Sequence, residues 1–137
     1  MAKFNLDDIQ EQSYLETEGQ HTLKIIKVAE DEDGNTTQVT ANGNEFHKYV
    51  CETQNHEKIY VTLYILEKAM WKYKAFLSAL GLDTKGLVFD SDTFDPESLV
   101  GKFFIGEVKR CPDKLNIETG LKEQSKYFEV VKFYPKA

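Results

Sequence analysis

Phe46-His47-Lys48-Tyr49-Val50-Cys51-Glu52, then Gln54-Asn55-His56-Glu57, then Ile59-Tyr60-Val61-Thr62-Leu63-Tyr64-Ile65 is the stretch that decides the fold. Both arms are rich in β-branched and aromatic residues and the polar segment between them suits a turn, so the stretch reads as a hairpin. In the second arm a period of two sets Ile59, Val61 and Leu63 on one face and Tyr60, Thr62 and Tyr64 on the other. An aliphatic face opposes an aromatic one. Just beyond, the period becomes helical: Ala69, Tyr73, Phe76, Leu77 and Leu80 form one stripe between Glu67 and Leu80, and Gly81 supplies the stop.

Upstream, Leu23-Lys24-Ile25-Ile26-Lys27-Val28 reads as a strand that ends in the acidic turn Asp31-Glu32-Asp33-Gly34-Asn35. The polar opening, residues 1–18, reads as a loosely ordered lead-in. Downstream, Gly86-Leu87-Val88-Phe89 reads as a short strand and Asp95-Pro96-Glu97-Ser98-Leu99 as a short helical turn with Pro and acid at its start. Lys102 to Arg110 and Tyr127 to Tyr134 supply two further strands, joined by a polar loop from Pro112 to about Lys126. The order of the main elements is therefore three strands, a helix and two strands. It predicts one mainly β domain over residues 1–137: a five-stranded barrel of the oligonucleotide/oligosaccharide-binding (OB) type, with one helix between strands 3 and 4. A ferredoxin-like layout would need two substantial helices, and only one is evident.

At 137 residues, 41% hydrophobic and 29% charged, the chain is long enough to build one core without disulfide or metal staples. Its apolar runs, such as Phe103-Phe104-Ile105, fall far short of the roughly 18 residues of a membrane span. The opening Met1-Ala2-Lys3-Phe4-Asn5-Leu6-Asp7-Asp8 has no apolar segment of the secretory kind, so a cytosolic protein is expected. Cys51 and Cys111 form no CxxC pair and read as small apolar residues. His47, Cys51 and His56 lack a fourth ligand at zinc spacing, and all three histidines, His21 included, read as solvated.

None of the motifs GxSxG, GxxxxGK[ST], GxGxxG or HExxH occurs. The acidic run from Glu30 to Asp33 reads as a solvated turn rather than a two-metal nuclease site, so neither enzyme activity nor a cofactor or metal is expected. Trp71 lies nearly opposite the helical stripe, among Lys68, Lys72 and Lys74. Because an isolated exposed Trp is unusual, the expectation is a helix covered on two sides.

The net charge of -6 is unevenly spread: residues 101–137 hold eight Lys and Arg against five Asp and Glu, and residues 1–100 hold nine against eighteen. A local basic groove is compatible with overall acidity, because exposed charges are screened over about 8–10 Å. Aromatics interleave with bases in Phe46-His47-Lys48-Tyr49, Lys58-Ile59-Tyr60, Lys102-Phe103-Phe104, Lys109-Arg110 and Lys126-Tyr127-Phe128. Unpaired bases stack on aromatic rings while Lys and Arg follow the phosphates, so the pattern suits a single strand of nucleic acid. The candidate contacts are Phe46, Lys48, Tyr60, Tyr64, Lys102, Phe103, Lys109, Arg110 and Lys126. Alternation puts Lys109 on the face of Phe103 and Ile105, and Arg110 on that of Phe104, Gly106 and Val108, reaching solvent only where the strand ends. Lys24, in the acidic part of the chain, is expected to lie off the groove.

Four strings carry a resemblance: Glu18-Gly19-Gln20-His21-Thr22-Leu23-Lys24-Ile25, Asn42-Gly43-Asn44-Glu45-Phe46, the helix from Glu67 to Leu82 with its ending Ala79-Leu80-Gly81-Leu82, and Leu99-Val100-Gly101-Lys102. In their order and spacing, over about residues 18–135, they resemble small single-stranded DNA-binding proteins encoded by bacteriophages of low-GC Gram-positive bacteria. The resemblance implies an OB barrel acting in phage DNA replication or recombination, in the cytoplasm of the infected host. It also implies single-stranded DNA as the partner, with a phage recombinase or replication protein, and a second copy of the chain, as further partners. The ending Val131-Lys132-Phe133-Tyr134-Pro135-Lys136-Ala137 differs from the acidic, Pro-containing tail of bacterial single-strand binders, so recruitment through such a tail is not expected. The alternative reading is a phage protein-interaction or host-modulating module on the same barrel, without nucleic-acid binding.

Overall fold

The computed structural model describes residues 13–85, 88–90, 92–111, 114–115, 122–123 and 128–136. In chain order its strands are β1 (Ser13–Tyr14), β2 (Gly19–Val28), β3 (Gln38–Val39), β4 (Glu45–Glu52), β5 (Glu57–Tyr64), β6 (Phe103–Arg110), β7 (Lys114–Leu115), β8 (Lys122–Glu123) and β9 (Phe128–Tyr134). Helix α1 (Met70–Ala79) lies between β5 and β6. The main sheet has the order β1-β5-β4-β2-β6-β9, with β3 added to β4, while β7 and β8 form a separate ribbon. Every pairing is antiparallel except that of β1 with β5. The protein is thus mainly β, with one α-helix among the described residues.

The longest strand, β2, organises the sheet by using its two halves differently. Lys24 to Val28 pair with β4 on one side, and Gly19 to Lys24 pair with β6 on the other. The β2–β4 register shifts between Ile25 and Lys27, a second shift falls between Glu107 and Val108 in β6–β9, and such irregularities bend and twist a strand. The curl brings β5 and β9 close together. No ladder joins them among the described residues, so the sheet is curled without the hydrogen-bonded closure of the expected five-stranded barrel.

The inner wall is filled by Leu23, Ile25, Tyr49, Cys51, Ile59, Val61, Leu63, Phe104, Val108 and Val130, and α1 closes it with Tyr73, Phe76 and Leu77. The Phe76 ring lies 5.0 Å from Tyr49, 5.3 Å from Phe104 and 5.2 Å from Phe133. At Gly106 the wall has no room for a side chain, since a Cβ would stand 2.8 Å from Leu23 and 3.0 Å from Val130. The helix stops as its sequence dictates. Gly81 takes φ +87°, its N–H donates to Ser78 O at 3.0 Å, and the Leu82 N–H donates to Leu77 O at 3.2 Å, which satisfies two end carbonyls. The 3-10 turn Pro96–Leu99 also matches its reading, with Asp95 Oδ1 accepting the Glu97 N–H at 3.0 Å.

Several expectations differ. Part of the lead-in is packed: β1 pairs with β5, the Leu15 N–H donates to Lys58 O at 2.8 Å, and the Leu15 side chain is 2% exposed. Val88 and Phe89 lie outside any strand, whereas Gly86 and Leu87 fall outside the described residues. The ribbon β7–β8 occurs where a loop was read. His47 is fully buried rather than solvated, because it shares the inward parity of Tyr49 and Cys51. Trp71 is 68% exposed rather than covered, because α1 packs on the sheet through its opposite face alone.

Candidate functional site

The outer face of β4–β5 is set by the same parity that builds the core. With His47, Tyr49 and Cys51 inward on β4 and Ile59, Val61 and Leu63 inward on β5, Phe46 and Lys48 turn outward with Tyr60, Thr62 and Tyr64. The register places Phe46 directly across from Tyr64, Lys48 from Thr62 and Val50 from Tyr60. The Phe46 and Tyr64 rings lie 5.6 Å apart and tilted by 48°. Lys48 Nζ stands 4.5 Å from the centre of the Tyr60 ring, and Tyr14 from β1 adds a ring 6.4 Å from Tyr60. Tyr60 and Tyr64 remain 40% and 41% exposed. Burial, reinforced by the Tyr14 hydroxyl, raises the Tyr60 phenol above its ordinary value, so it stays neutral at physiological pH.

Beside this row runs a cleft of about 600 Å³ where β1 and β5 face the start of β9, lined by Tyr14, Leu15, Lys48, Lys58, Tyr60 and Phe128, among others. Arg110 reaches the same region, its guanidinium 5.3 Å from the centre of the Phe128 ring. Tyr14, Lys58 and Phe128 thus join the surface although the sequence reading left them off its site. Tyr14 gave no periodic signal, whereas Lys58 and Phe128 stood within the interleaved strings.

Phe103 forms a second group. It is 42% exposed, with Lys24 directly across the β2–β6 ladder. Lys24 Nζ lies 5.7 Å and Lys136 Nζ 4.4 Å from the ring centre. Lys24, expected off the groove, therefore belongs with a candidate contact: a ladder between residues about eighty apart in sequence brings them together. The ladders align Lys58, Glu52, Lys24 and Phe103 in one row across β5, β4, β2 and β6, which links the two groups. Glu52 in that row is held by His56 Nδ1 at 3.3 Å.

The remaining candidates separate. Lys102 is half-buried just before β6, where its carbonyl accepts the Ile25 N–H at 3.0 Å. Lys109 is exposed on the Phe103 face but stands across the ladder from Glu129. Six residues separate it from Phe103, about 20 Å along a strand. Arg110 is exposed at the end of β6 and stacks on Phe128 rather than on Phe46 or Tyr64. Lys126 lies outside the described residues.

Behind the outer row, the core holds a polar chain. His47 Nδ1 pairs with the Tyr73 hydroxyl at 2.7 Å and Nε2 with Thr37 Oγ1 at 2.9 Å, and Tyr49 hydrogen-bonds Tyr73. Burial lowers the His47 pKa and raises those of Tyr73, Tyr49 and Cys51. All four groups are held neutral at pH 7, which suits a structural role. The acidic turn closes on itself, with Asp31 Oδ1 accepting the Asp33 and Asn35 N–H groups at 3.0 and 2.9 Å. Among the described residues, no three His, Cys, Asp or Glu side chains are placed to hold a metal, and no helix is long and apolar enough to cross a membrane. No protein-family model matches this chain, and a search of curated proteins finds none that matches it.

Proposed function

We propose that this protein binds single-stranded DNA without marked sequence preference, holding the strand along the outer face of β4–β5. The observation that carries this reading is the row Tyr14, Tyr60, Lys48, Tyr64 and Phe46: three exposed tyrosine rings and a half-buried phenylalanine on one strand face with a cation among them. Base–aromatic stacking contributes about 1–3 kcal/mol per base and tolerates any base, whereas duplex DNA keeps its π faces covered. The Phe103 group offers the strand a second platform with Lys24 and Lys136.

The fold supports the same reading at the finer level of an OB barrel. Counting β2 as the first strand, the order is 3-2-1-4-5, with strand 3 approaching strand 5 and the helix between strands 3 and 4. OB folds are partly open five-stranded barrels that bind oligonucleotides across strands 2 and 3, here β4 and β5. The resemblance to phage single-strand binders supports an activity in phage replication or recombination, as a binding rather than a catalytic function.

The test is a titration with oligo-dT over a range of salt. Three to four phosphate contacts at about -0.7 each give a log–log slope of about -2 to -3 for a single strand. No binding, or a slope of zero, rejects the proposal and favours a protein-interaction module on the same scaffold.

A further inference from the structure

Trp71 is the most exposed aromatic side chain among the described residues, and nothing in the fold accounts for it. No ring lies against it and no cation stands over it among those residues. It is the second residue of α1, with Lys74 three residues after it on the same helix face and Lys68 three residues before it, in the 3-10 turn Glu67–Ala69 that leads into α1. Cations in the first turn of a helix oppose its dipole. The first turn of α1 holds no acid and no side-chain cap, so Lys72 does not serve the helix itself. Among the described residues, Lys68, Lys72 and Lys74 have no carboxylate within 4 Å, in a chain whose net charge is -6.

Trp71 also edges a cleft of about 640 Å³, with Ile65, Leu66, Met70, Lys74 and Phe89 along it and Glu67 as its one acid. Ile65 and Leu66 directly follow Tyr64, so the cleft opens where the aromatic row of the outer face ends. Positive charge, an unshielded indole and continuity with that row favour one occupant.

We propose that Trp71, flanked by Lys68 and Lys74, extends the DNA track past Tyr64 and stacks one further base of the same single strand. The inference rests on the reading above and adds a binding residue and a direction to it. The strand runs along β5 from Tyr60 to Tyr64, about 13 Å at the rise of a strand, and then onto the N-terminal turn of α1. A short oligonucleotide is satisfied by the β4–β5 row. A longer one reaches the indole.

The experiment compares oligo-dT of about 6 and about 16 nucleotides, near the two ends of the OB site range, on the full chain and on Trp71→Ala. The expected result is quenching of the single tryptophan by the longer strand only. Trp71→Ala should weaken the longer strand roughly 5- to 150-fold, as the loss of one stacked base does, and leave the shorter unchanged. Because the side chain is exposed, the thermal midpoint should hold, which separates binding from folding. Lys68→Glu with Lys74→Glu should lower the salt slope for the longer strand by about 0.7 per lost phosphate contact. If the full chain binds both strands and Trp71→Ala binds them equally well, the inference falls while the function stands. If Trp71→Ala instead abolishes self-association in sedimentation with oligonucleotide affinity unchanged, the cleft is an interface between copies and the inference also falls. Failure of the full chain to bind either strand removes both.

Discussion

The two faces of the β4–β5 hairpin carry similar side chains under opposite conditions. Inward, His47 and Tyr49 meet Tyr73 and Phe76, every buried side-chain N or O atom among the described residues has a partner, and the rings are shut from water. Outward, one residue away in each strand, Tyr60 and Tyr64 stay exposed and Phe46 half-buried beside Lys48. Only the period of two separates them. A slip of one residue would exchange a closed aromatic core for an open aromatic platform, so register is the feature on which both stability and binding depend.

The largest expected effect breaks the comparison on its inner side. Phe76 is fully buried against four rings, and Phe76→Ala should cost about 3–5 kcal/mol of stability through lost burial and a residual cavity. A urea midpoint that falls while the slope of the transition is kept would report it. A loss below about 1 kcal/mol would mean that α1 does not close the core as described. On the outer side the ranking reverses. Tyr60→Ala and Tyr64→Ala should each weaken oligo-dT binding by about 1–3 kcal/mol and leave the stability measured by urea unfolding within about 1.5 kcal/mol of the parent, the most that a ring contact with Tyr14 or Phe46 supplies. Several kcal/mol of lost stability in either variant would reverse the assigned parity.

What could be read in the sequence was local. The faces of β5, the helix stop at Gly81 and the Asp95-Pro96 turn each depend on contacts within a few residues, and each is found where its residues predict it. Features set by distant partners were not legible. The pairing of β1 with β5 spans more than forty residues and that of β2 with β6 about eighty to ninety, so neither the burial of Leu15 nor the meeting of Lys24 with Phe103 left a periodic trace. His47 is a different kind of miss. Its parity with Tyr49 and Cys51 pointed inward, and the general exposure of histidine outweighed a signal that was present. For Trp71 the helical wheel pointed outward, and the rarity of exposed Trp argued the other way.

A smaller effect follows from the buried imidazole. Burial holds the His47 pKa below its ordinary value of 6.5, so between that value and the lower folded one the unfolded chain binds a proton that the folded chain does not. Stability is therefore fully present above pH 6.5 and is lost as pH falls through the window, by at most about 1.4 kcal/mol per pH unit. Urea midpoints at pH 7.5, 6.5 and 5.5 should decline in that order for the parent. His47→Gln, though less stable throughout, should flatten the decline. An unchanged decline in His47→Gln would place its source in the carboxylates.

The smallest effects concern single charges, and there the two aromatic groups can be ranked against the positive segment that first suggested a groove. Lys109 faces Glu129 across the β6–β9 ladder, so its field is partly cancelled before a phosphate arrives. Lys24 and Lys136 instead converge on an exposed ring, where one strand could be stacked and neutralised together. Lys24→Glu should therefore lower the salt slope by about the 0.7 of one phosphate contact, and Lys109→Glu by less. Lys132→Glu, exposed on β9 and paired with Glu107, makes the same change in net charge away from every aromatic group and serves as the control. Equal losses from all three would mean that binding follows net charge alone, and the platform on Phe103 would then have no standing as a local site. A loss confined to Lys24→Glu would show that position beside an exposed ring, rather than membership of the basic C-terminal segment, decides which lysines meet the strand.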